Sequence, residues 1–210
     1  MSESALALFL LASLALAATP GPGVLYIVAR TLAQGRRAGL ASVGGVALGN
    51  FGNALGVSLG LAALFALSSV AFTLVKFAGA GYLVYLGALA LRARPGASGP
   101  SNFEAPRLAR TFRDGFVVAL LNPKTTLFFA AFLPQFIGPA ASPLAQGVAL
   151  GAAFVLIAAC TDTAYVLAAG AASRAFGTSG RAGSVARYAA ASVYIGLGVC
   201  TAFAGTRGGK

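Results

Sequence analysis

The chain has no histidine and few charged residues, and both scarcities narrow what it can be. Charged residues make up 9% of its 210 residues, whereas 58% are hydrophobic; soluble globular proteins have roughly 25% charged residues. The only cysteines, Cys160 and Cys200, lie in apolar stretches, which argues against a Cys/His metal site and against nucleophilic catalysis by a Cys/His pair. We therefore expect an integral membrane protein with no cofactor and no enzymatic activity.

Long apolar stretches occupy most of the sequence. They cover residues 5–29, 40–66, 70–91, 114–137, 146–170 and 186–204. Runs of this length can cross a hydrocarbon core of about 30 Å as helices, and they lack the alternating pattern of a transmembrane barrel. The sequence predicts an all-α protein with six transmembrane helices, which forms one membrane domain over residues 1–210 and has the lipid bilayer as a partner.

The net charge of +11 does not indicate a nucleic-acid partner, because the cations fall between the apolar stretches. The first, third and fifth loops hold Arg30, Arg36, Arg37, Arg92, Arg94, Arg107, Arg110, Arg113, Arg174, Arg181 and Arg187. Only Arg207 and Lys210 remain for the opposite face. The positive-inside rule then places these three loops in the cytoplasm and both termini outside.

The N-terminal stretch shares some features with a signal peptide. Ala5–Ala18 is apolar and ends in a small-residue pattern, but no cation precedes it and Glu3 is the only early charge. We expect this stretch to form part of the first helix, and its cleavage stays open.

The only linker-like segment divides the chain into two halves. Residues 92–113 are rich in proline, glycine, serine and arginine, and they separate halves at about residues 1–93 and 111–206. Three helices in each half force the halves into opposite orientations in the membrane. We predict a 3+3 inverted repeat around a cytoplasmic linker.

A proline interrupts the first apolar stretch of each half. The interruptions are Thr19-Pro20-Gly21-Pro22-Gly23 and Asn122-Pro123-Lys124. Proline frees a backbone carbonyl that lipid cannot satisfy, and a lysine at the centre of a membrane helix costs about 2.5–3.5 kcal/mol on insertion scales. Two broken helices at corresponding positions indicate a transporter binding site, although simple packing kinks are the alternative.

Each break supplies groups that suit the two ends of an amino acid. The restarting helix offers free N–H groups to a carboxylate, and the carbonyls before the break can accept from an ammonium group. A neutral or zwitterionic amino acid would match both. The predicted substrate-binding residues at the breaks are Pro20, Gly21, Pro22, Gly23, Asn122, Pro123 and Lys124.

The second helix of each half has a face of small residues that includes polar side chains. Gly45, Gly49, Gly52, Gly56 and Gly60 form one such stripe, which Asn50 and Asn53 border. The other stripe comprises Gly147, Gly151, Ala158, Asp162 and Tyr165. We add Asn50, Asn53 and Tyr165 to the substrate-binding set, while packing is the alternative role for the glycines.

Asp162 is the acid expected within a span, because Glu3, Glu104 and Asp114 are expected in the termini or the third loop. Intramembrane carboxylates are functional candidates, so we predict that Asp162 couples transport to protons. The alternative is a static ion pair between Asp162 and Lys124.

Several motifs together resemble the lysine-exporter superfamily, in particular its homoserine/threonine-efflux branch. They are Pro20-Gly21-Pro22, Gly35-Arg36-Arg37-Ala38-Gly39-Leu40, the run from Phe77 to Gly87, Phe112-Arg113-Asp114-Gly115-Phe116, Leu121-Asn122-Pro123-Lys124 and Phe132-Leu133-Pro134-Gln135-Phe136. The family usually has an acid followed by histidine where this chain has Asn50 and Asn53, and an asparagine at Gly23.

The resemblance implies six helices in a 3+3 inverted repeat in the bacterial inner membrane, where the cation distribution predicts periplasmic termini. It also implies export of amino acids or related metabolites driven by the proton motive force, and it leaves a homodimer open. The alternative functions are a small-ion or metabolite carrier of the wider superfamily and, less favoured by the residues, a membrane-embedded enzyme.

Overall fold

A computed structural model describes residues 3–61, 69–92, 105–138 and 142–175, together with residues 188, 191–196, 199 and 202. The helices in these ranges are α1 (Glu3–Ala18), α2 (Pro22–Gln34), α3 (Arg36–Gly56), α4 (Ser69–Arg92), α5 (Ala105–Leu120), α6 (Pro123–Phe132) and α7 (Pro143–Ala175). A π-helical turn (Val57–Leu61) extends α3, and a 3₁₀ turn (Leu133–Phe136) extends α6. The regular structure of the described residues is thus entirely helical.

Both predicted proline breaks are confirmed. The axes of α1 and α2 differ by 46°, and those of α5 and α6 together with its 3₁₀ turn differ by 49°. In each case a proline opens the second helix, Pro22 in α2 and Pro123 in α6. This is the position where the missing proline N–H costs the helix no hydrogen bond.

Two glycines with positive φ lie on either side of α3, one directly before it and one in the π-helical turn that follows it. Gly35 has φ 84° between α2 and α3, and Gly60 has φ 91° inside the π-helical turn. Both values lie in the left-handed region, which glycine adopts without the steric cost of a Cβ. The helix of the second predicted stretch, 40–66, therefore begins earlier than expected, at Arg36, and its regular geometry is interrupted at Gly60.

The predicted linker 92–113 is shorter than expected. Residues 105–113 are the first turns of α5, and residues 93–104 lie outside the described ranges. In these turns Thr111 is buried while Arg110 and Arg113 face outward. The helix thus begins before the apolar run because one face already packs, which a scan for continuous apolar residues does not detect.

The described part of the chain contains two helices that are long and apolar enough to cross a membrane. They are Arg36–Gly60 and Pro143–Ser173, and the number becomes four if each bent pair, α1–α2 and α5–α6, forms one span. Helix α4 has 24 residues and contains the shorter apolar segment Phe77–Leu89. Of the sixth predicted stretch, 186–204, most residues lie outside the described ranges, and those that are described are helical.

Large apolar side chains lie on the outside of the molecule as well as inside it. Leu11, Leu74 and Leu156 are each about two-thirds exposed. An apolar exterior of this kind suits contact with lipid. Inside, one apolar cluster surrounds Tyr26 and Ile27, and a second surrounds Phe9, Phe129 and Phe154.

Helix α3 is the central element, because it packs against α5 on one side and against α7 on the other. Gly45 and Gly49 meet the α5 backbone at Phe112 and Phe116, whereas Gly151 of α7 faces Ala54. Close backbone approach allows van der Waals packing in lipid, where no hydrophobic effect drives helices together. The small-residue stripes therefore act largely as packing surfaces.

This packing predicts that Gly49→Ala destabilises the protein. A Cβ at Gly49 would lie 2.5 Å from the Phe116 carbonyl oxygen and 2.8 Å from the Ala119 Cβ, so the helices would have to move apart. Overpacking costs about 1–3 kcal/mol. Thermal inactivation of the detergent-solubilised variant should occur at a lower temperature than in wild type. The matched control is Gly81→Ala, whose Cβ would meet no atom of the described chain within 4 Å; equal stability of the two variants would contradict the prediction.

Candidate functional site

The two proline breaks lie next to each other, and Lys124 joins them. Its Nζ donates hydrogen bonds to the carbonyl oxygens of Leu16 (3.0 Å) and Thr19 (2.7 Å), at the end of α1. Because α1 ends at Ala18, carbonyls of its last turn lack the usual helical partner four residues on, although the Leu16 carbonyl also accepts from the Thr19 backbone N–H (3.2 Å). The sequence predicted that these carbonyls accept from the ammonium group of a substrate, but in the structure the protein's own Lys124 donates to them.

The second break is closed by Asn122. Its Oδ1 accepts from the Lys124 backbone N–H (3.1 Å), and its Nδ2 donates to Thr125 Oγ1 (3.1 Å). Asn122 is therefore the N-cap of α6. At the first break the N-cap of α2 is Gly21, which has no side chain to accept from the first N–H groups. Of the two breaks, the first thus presents the open helix N-terminus.

A small cavity lies where the breaks meet α3 and α7. Its volume is about 40 Å³, which exceeds the roughly 10–15 Å³ that a single water needs. Its lining residues are Leu16, Ala17, Thr19, Gly21, Gly23, Val24, Val46, Asn50, Asn122, Lys124, Thr125, Phe154, Ala158 and Asp162. Five helices, α1, α2, α3, α6 and α7, contribute to it.

Two buried acceptors in this cavity lack partners among the described residues. Asn50 is 6% exposed, and its Oδ1 accepts no hydrogen bond there. Asp162 is 5% exposed, and in the described chain its carboxylate has neither a hydrogen bond nor an ion pair. The ion pairs of the described residues both involve Asp114, so the alternative Asp162–Lys124 pair is not formed. Unpaired buried polar groups are costly, which marks both side chains as functional candidates.

The predicted site residues fall into three groups. Gly21, Gly23, Asn50, Asn122, Lys124 and Asp162 line the cavity. Pro20, Pro22 and Pro123 belong to the breaks without lining it. Asn53 and Tyr165 bond elsewhere: Asn53 Nδ2 donates to the Ala119 carbonyl (2.9 Å), and Tyr165 Oη donates to the Ala18 carbonyl (2.9 Å). Asn53 thus links α3 to α5, and Tyr165 holds α7 against the end of α1.

A second polar cluster lies between α2, α4 and α5. Arg30 donates to Asp114 Oδ2 (3.0 Å), and Tyr82 Oη donates to Asp114 Oδ1 (3.1 Å). The Arg30 guanidinium also lies over the Tyr26 ring, 5.3 Å from its centroid, and Tyr26 Oη donates to the Thr111 carbonyl (2.8 Å). We call Arg30, Asp114, Tyr82 and Tyr26 the Arg30 cluster.

Comparison with known proteins identifies the family. The model of the family described as "LysE type translocator" matches residues 14–205, which is most of the chain. The chain belongs to the LysE family. The resemblance inferred from the motifs is therefore confirmed, and membership of this family points to a multi-pass membrane transporter.

Relatives of this LysE-type chain include named efflux proteins. It is 34% identical over 157 residues to homoserine/homoserine lactone efflux proteins of Salmonella typhi and Salmonella typhimurium, covering 75% of this chain and 76% of each relative. It is 32% identical over 157 residues to a Vibrio cholerae protein described as an uncharacterized membrane protein, covering 75% and 77%. No solved structure gives a significant match.

The Arg30 cluster is the part of this LysE-type structure that the sequence analysis missed. It placed Arg30 in the first loop and Asp114 in the third, but both lie within helices, and Asp114 is 2% exposed. Asp162 is therefore not the only buried acid. Arg30 and Asp114 are 84 residues apart, so nothing local in the sequence pairs them; the signal available for Asp114 was its place in the motif Phe112-Arg113-Asp114-Gly115-Phe116.

Removing the Asp114 charge is expected to destabilise the LysE-type protein. Asp114→Asn leaves the Arg30 charge uncompensated, and breaking a buried pair typically costs about 3–5 kcal/mol. The variant should lose activity at a lower temperature after solubilisation in detergent. Arg113→Ala is the matched control, because the Arg113 side chain is 72% exposed and lies 4.0 Å from the same carboxylate, where ion pairs contribute little. Wild-type stability of Asp114→Asn, or equal loss in the control, would contradict the expectation.

Proposed function

We propose that this protein is a secondary active exporter of amino acids or related small metabolites in the bacterial inner membrane. The observation that supports the proposal most is the cavity where the two proline breaks meet, with Lys124 and the unpaired Asp162 carboxylate in its wall. Substrate sites of secondary transporters commonly lie between discontinuous helices of this kind. The efflux proteins of Salmonella, which match three-quarters of this chain, favour homoserine or a similar compound as substrate.

The transport cycle that we propose is alternating access by a 3+3 inverted repeat. The cavity is too small for an amino acid, since its volume of about 40 Å³ is well below the roughly 150 Å³ of a cavity that binds benzene. Helices around it must therefore move apart before substrate binds from the cytoplasm. The bent pairs α1–α2 and α5–α6 are the elements proposed to move, because each is already interrupted at the cavity.

We assign binding to Gly21, Gly23, Asn50, Asn122 and Lys124, with Pro20, Pro22 and Pro123 shaping the breaks. Asn53 and Tyr165 would hold the helices that carry the site. Asp162 is proposed to carry the coupled proton, since it is the only carboxylate among the described residues lining the cavity. A carboxylate that alternates between the two sides can exchange one proton for each substrate.

Counterflow in proteoliposomes tests the proposal. Vesicles loaded with unlabelled homoserine should take up labelled homoserine transiently, and vesicles loaded with other amino acids identify further substrates. An imposed pH gradient should convert this exchange into accumulation. Protein-free vesicles are the control. Absence of counterflow for homoserine and for all twenty standard amino acids would overturn an amino-acid exporter.

The cation distribution also supports an orientation, with both termini in the periplasm. Eleven arginines lie in or beside the predicted odd-numbered loops and two cations lie near the C-terminus. Although Arg30, one of the eleven, lies within α2, this bias favours a cytoplasmic location of the odd-numbered loops. Reporter fusions at Ser98 and Ser179 should therefore report cytoplasm, and a fusion at Ser142 should report periplasm. A cytoplasmic result at Ser142 would reverse the orientation.

A further inference from the structure

The two unpaired groups in the cavity are both acceptors. Asn50 Oδ1 lies on α3 and the Asp162 carboxylate on α7, both are more than nine-tenths buried, and both line the same space. Asn50 is in the second helix of the first half, and Asp162 is in the second helix of the second half. A ligand that satisfies both must present hydrogen-bond donors, and the negative charge of an ionised Asp162 favours a donor that is positively charged.

The chain does not supply that donor from the cavity wall. Lys124 is the only cationic residue among the described lining residues, and its ammonium already donates to the Leu16 and Thr19 carbonyls. Those bonds tie it to the end of α1 and leave Asp162 without an ion pair. In the cavity wall the Asp162 carboxylate is therefore available to a ligand, whereas the Lys124 ammonium group is already hydrogen-bonded to the protein.

We propose that Asn50 and Asp162 form the subsite for the ammonium end of the transported molecule, and that this end dominates recognition. The inference rests on the proposed export function and specifies which end of the substrate the protein requires. Asp162 supplies the charge, and Asn50 Oδ1 supplies a second acceptor across the cavity. Ammonium bound to both would remove the two unpaired groups at once.

A substrate carboxylate has weaker partners in the same cavity. The first N–H groups of α2 are open because Gly21 offers no capping side chain, and Gly23 and Val24 line the cavity. These N–H groups are neutral, and they can donate to an amide carbonyl as well as to a carboxylate. The carboxylate is therefore dispensable, whereas the ammonium group is not.

Competition in counterflow tests this order of importance. Labelled homoserine is the probe, homoserine amide is the competitor that keeps the ammonium group, and 2,4-dihydroxybutyrate is the competitor that keeps the carboxylate. The amide should compete within about tenfold of unlabelled homoserine. The hydroxy acid should compete at least about 100-fold more weakly, since the single uncharged O–H donor that replaces the ammonium group cannot satisfy both acceptors or balance the Asp162 charge. If 2,4-dihydroxybutyrate competes as well as homoserine, the proposed ammonium subsite is wrong, although the proposed export function is not affected. If homoserine and all twenty standard amino acids fail to exchange, the proposed export function itself is wrong.

Two variants locate the subsite. Asn50→Ala should raise the half-saturating homoserine concentration about tenfold, through loss of one hydrogen bond to a charged group. It should leave the weak competition by 2,4-dihydroxybutyrate unchanged. Thr163→Val is the matched control, because Thr163 Oγ1 donates to the Ala159 carbonyl beside Asp162 without lining the cavity. An equal effect of both variants would refute the subsite. It would also be refuted if counterflow strictly required sodium and Asn50→Ala abolished that requirement, since a metal ion would then occupy the acceptors.

Discussion

Lys124→Met is expected to abolish export while the protein still inserts into the membrane. Methionine keeps most of the apolar stem but donates no hydrogen bond, so the Leu16 and Thr19 carbonyls at the end of α1 lose the Lys124 ammonium group. The Leu16 carbonyl keeps the bond from the Thr19 backbone N–H and the Thr19 carbonyl is better exposed, so the cost should stay below the roughly 1–3 kcal/mol of a fully unsatisfied buried carbonyl. More importantly, nothing would then tie the break of the first half to that of the second. Transport should fall at least about 100-fold, as measured by homoserine counterflow at equal protein density.

Lys124→Arg separates charge from geometry at the same position. Arginine keeps the positive charge, but its planar fork cannot place a compact donor between two carbonyls as the ammonium group does. We expect Lys124→Arg to restore counterflow only in part, at a rate well below that of the wild-type protein. Wild-type counterflow in Lys124→Met would reduce Lys124 to a structural cap, and full rescue by arginine would show that charge alone matters.

The sequence predicted the breaks and the cavity wall because both depend on local chemistry. Proline cannot continue a helix at Pro22 or Pro123, whatever packs around it. A carboxylate such as Asp162 is too costly to leave in lipid, so it faces the interior, where it is 5% exposed. The spacing of Gly45 and Gly49 likewise indicated a face that could pack closely against another helix, although not that α5 is the helix that meets it.

The partners of these groups could not be predicted, because they depend on how distant helices meet. Lys124 and Leu16 are 108 residues apart, and Arg30 and Asp114 are 84 apart. The sequence analysis considered a pair between Lys124 and Asp162, since each was the other's obvious counter-charge. In the structure backbone carbonyls released by the first break satisfy Lys124 instead. A helix end is an acceptor that residue types alone do not reveal.

The predicted start of α5 was wrong for a related reason. Residues 105–113 contain several arginines and were predicted as linker, yet they form a helix whose inner face includes Thr111 and Asp114, both buried. Arg30 neutralises Asp114 from another helix, which makes burial of the acid tolerable. Polar composition indicates a loop only when no partner is available elsewhere in the fold.

Asp162→Asn is expected to separate exchange from uphill export. If proton and ammonium compete for this carboxylate, acidification displaces substrate on the periplasmic side and the proton returns inward with the empty carrier. Lys124 is the only other titratable side chain among the described residues lining the cavity, and it is bonded to carbonyls. Asparagine keeps the shape and one acceptor but takes up no proton. The variant should retain counterflow with a half-saturating homoserine concentration raised about 10- to 100-fold, through a weaker hydrogen bond to the ammonium group.

The decisive measurement compares pH-gradient-driven accumulation with counterflow in the same vesicles. Wild-type protein and Thr163→Val should accumulate homoserine against its gradient, and their apparent affinity should fall as the pH falls. Asp162→Asn should show neither accumulation nor this pH dependence. Asp162 forms no ion pair with Lys124 in the described chain, so its replacement leaves no buried charge without its partner. The stability loss of about 3–5 kcal/mol that breaking a buried pair brings is therefore not expected, and the yield of purified protein should stay near that of wild type. If Asp162→Asn still accumulates homoserine at the wild-type rate, coupling must run through substrate charge or the membrane potential.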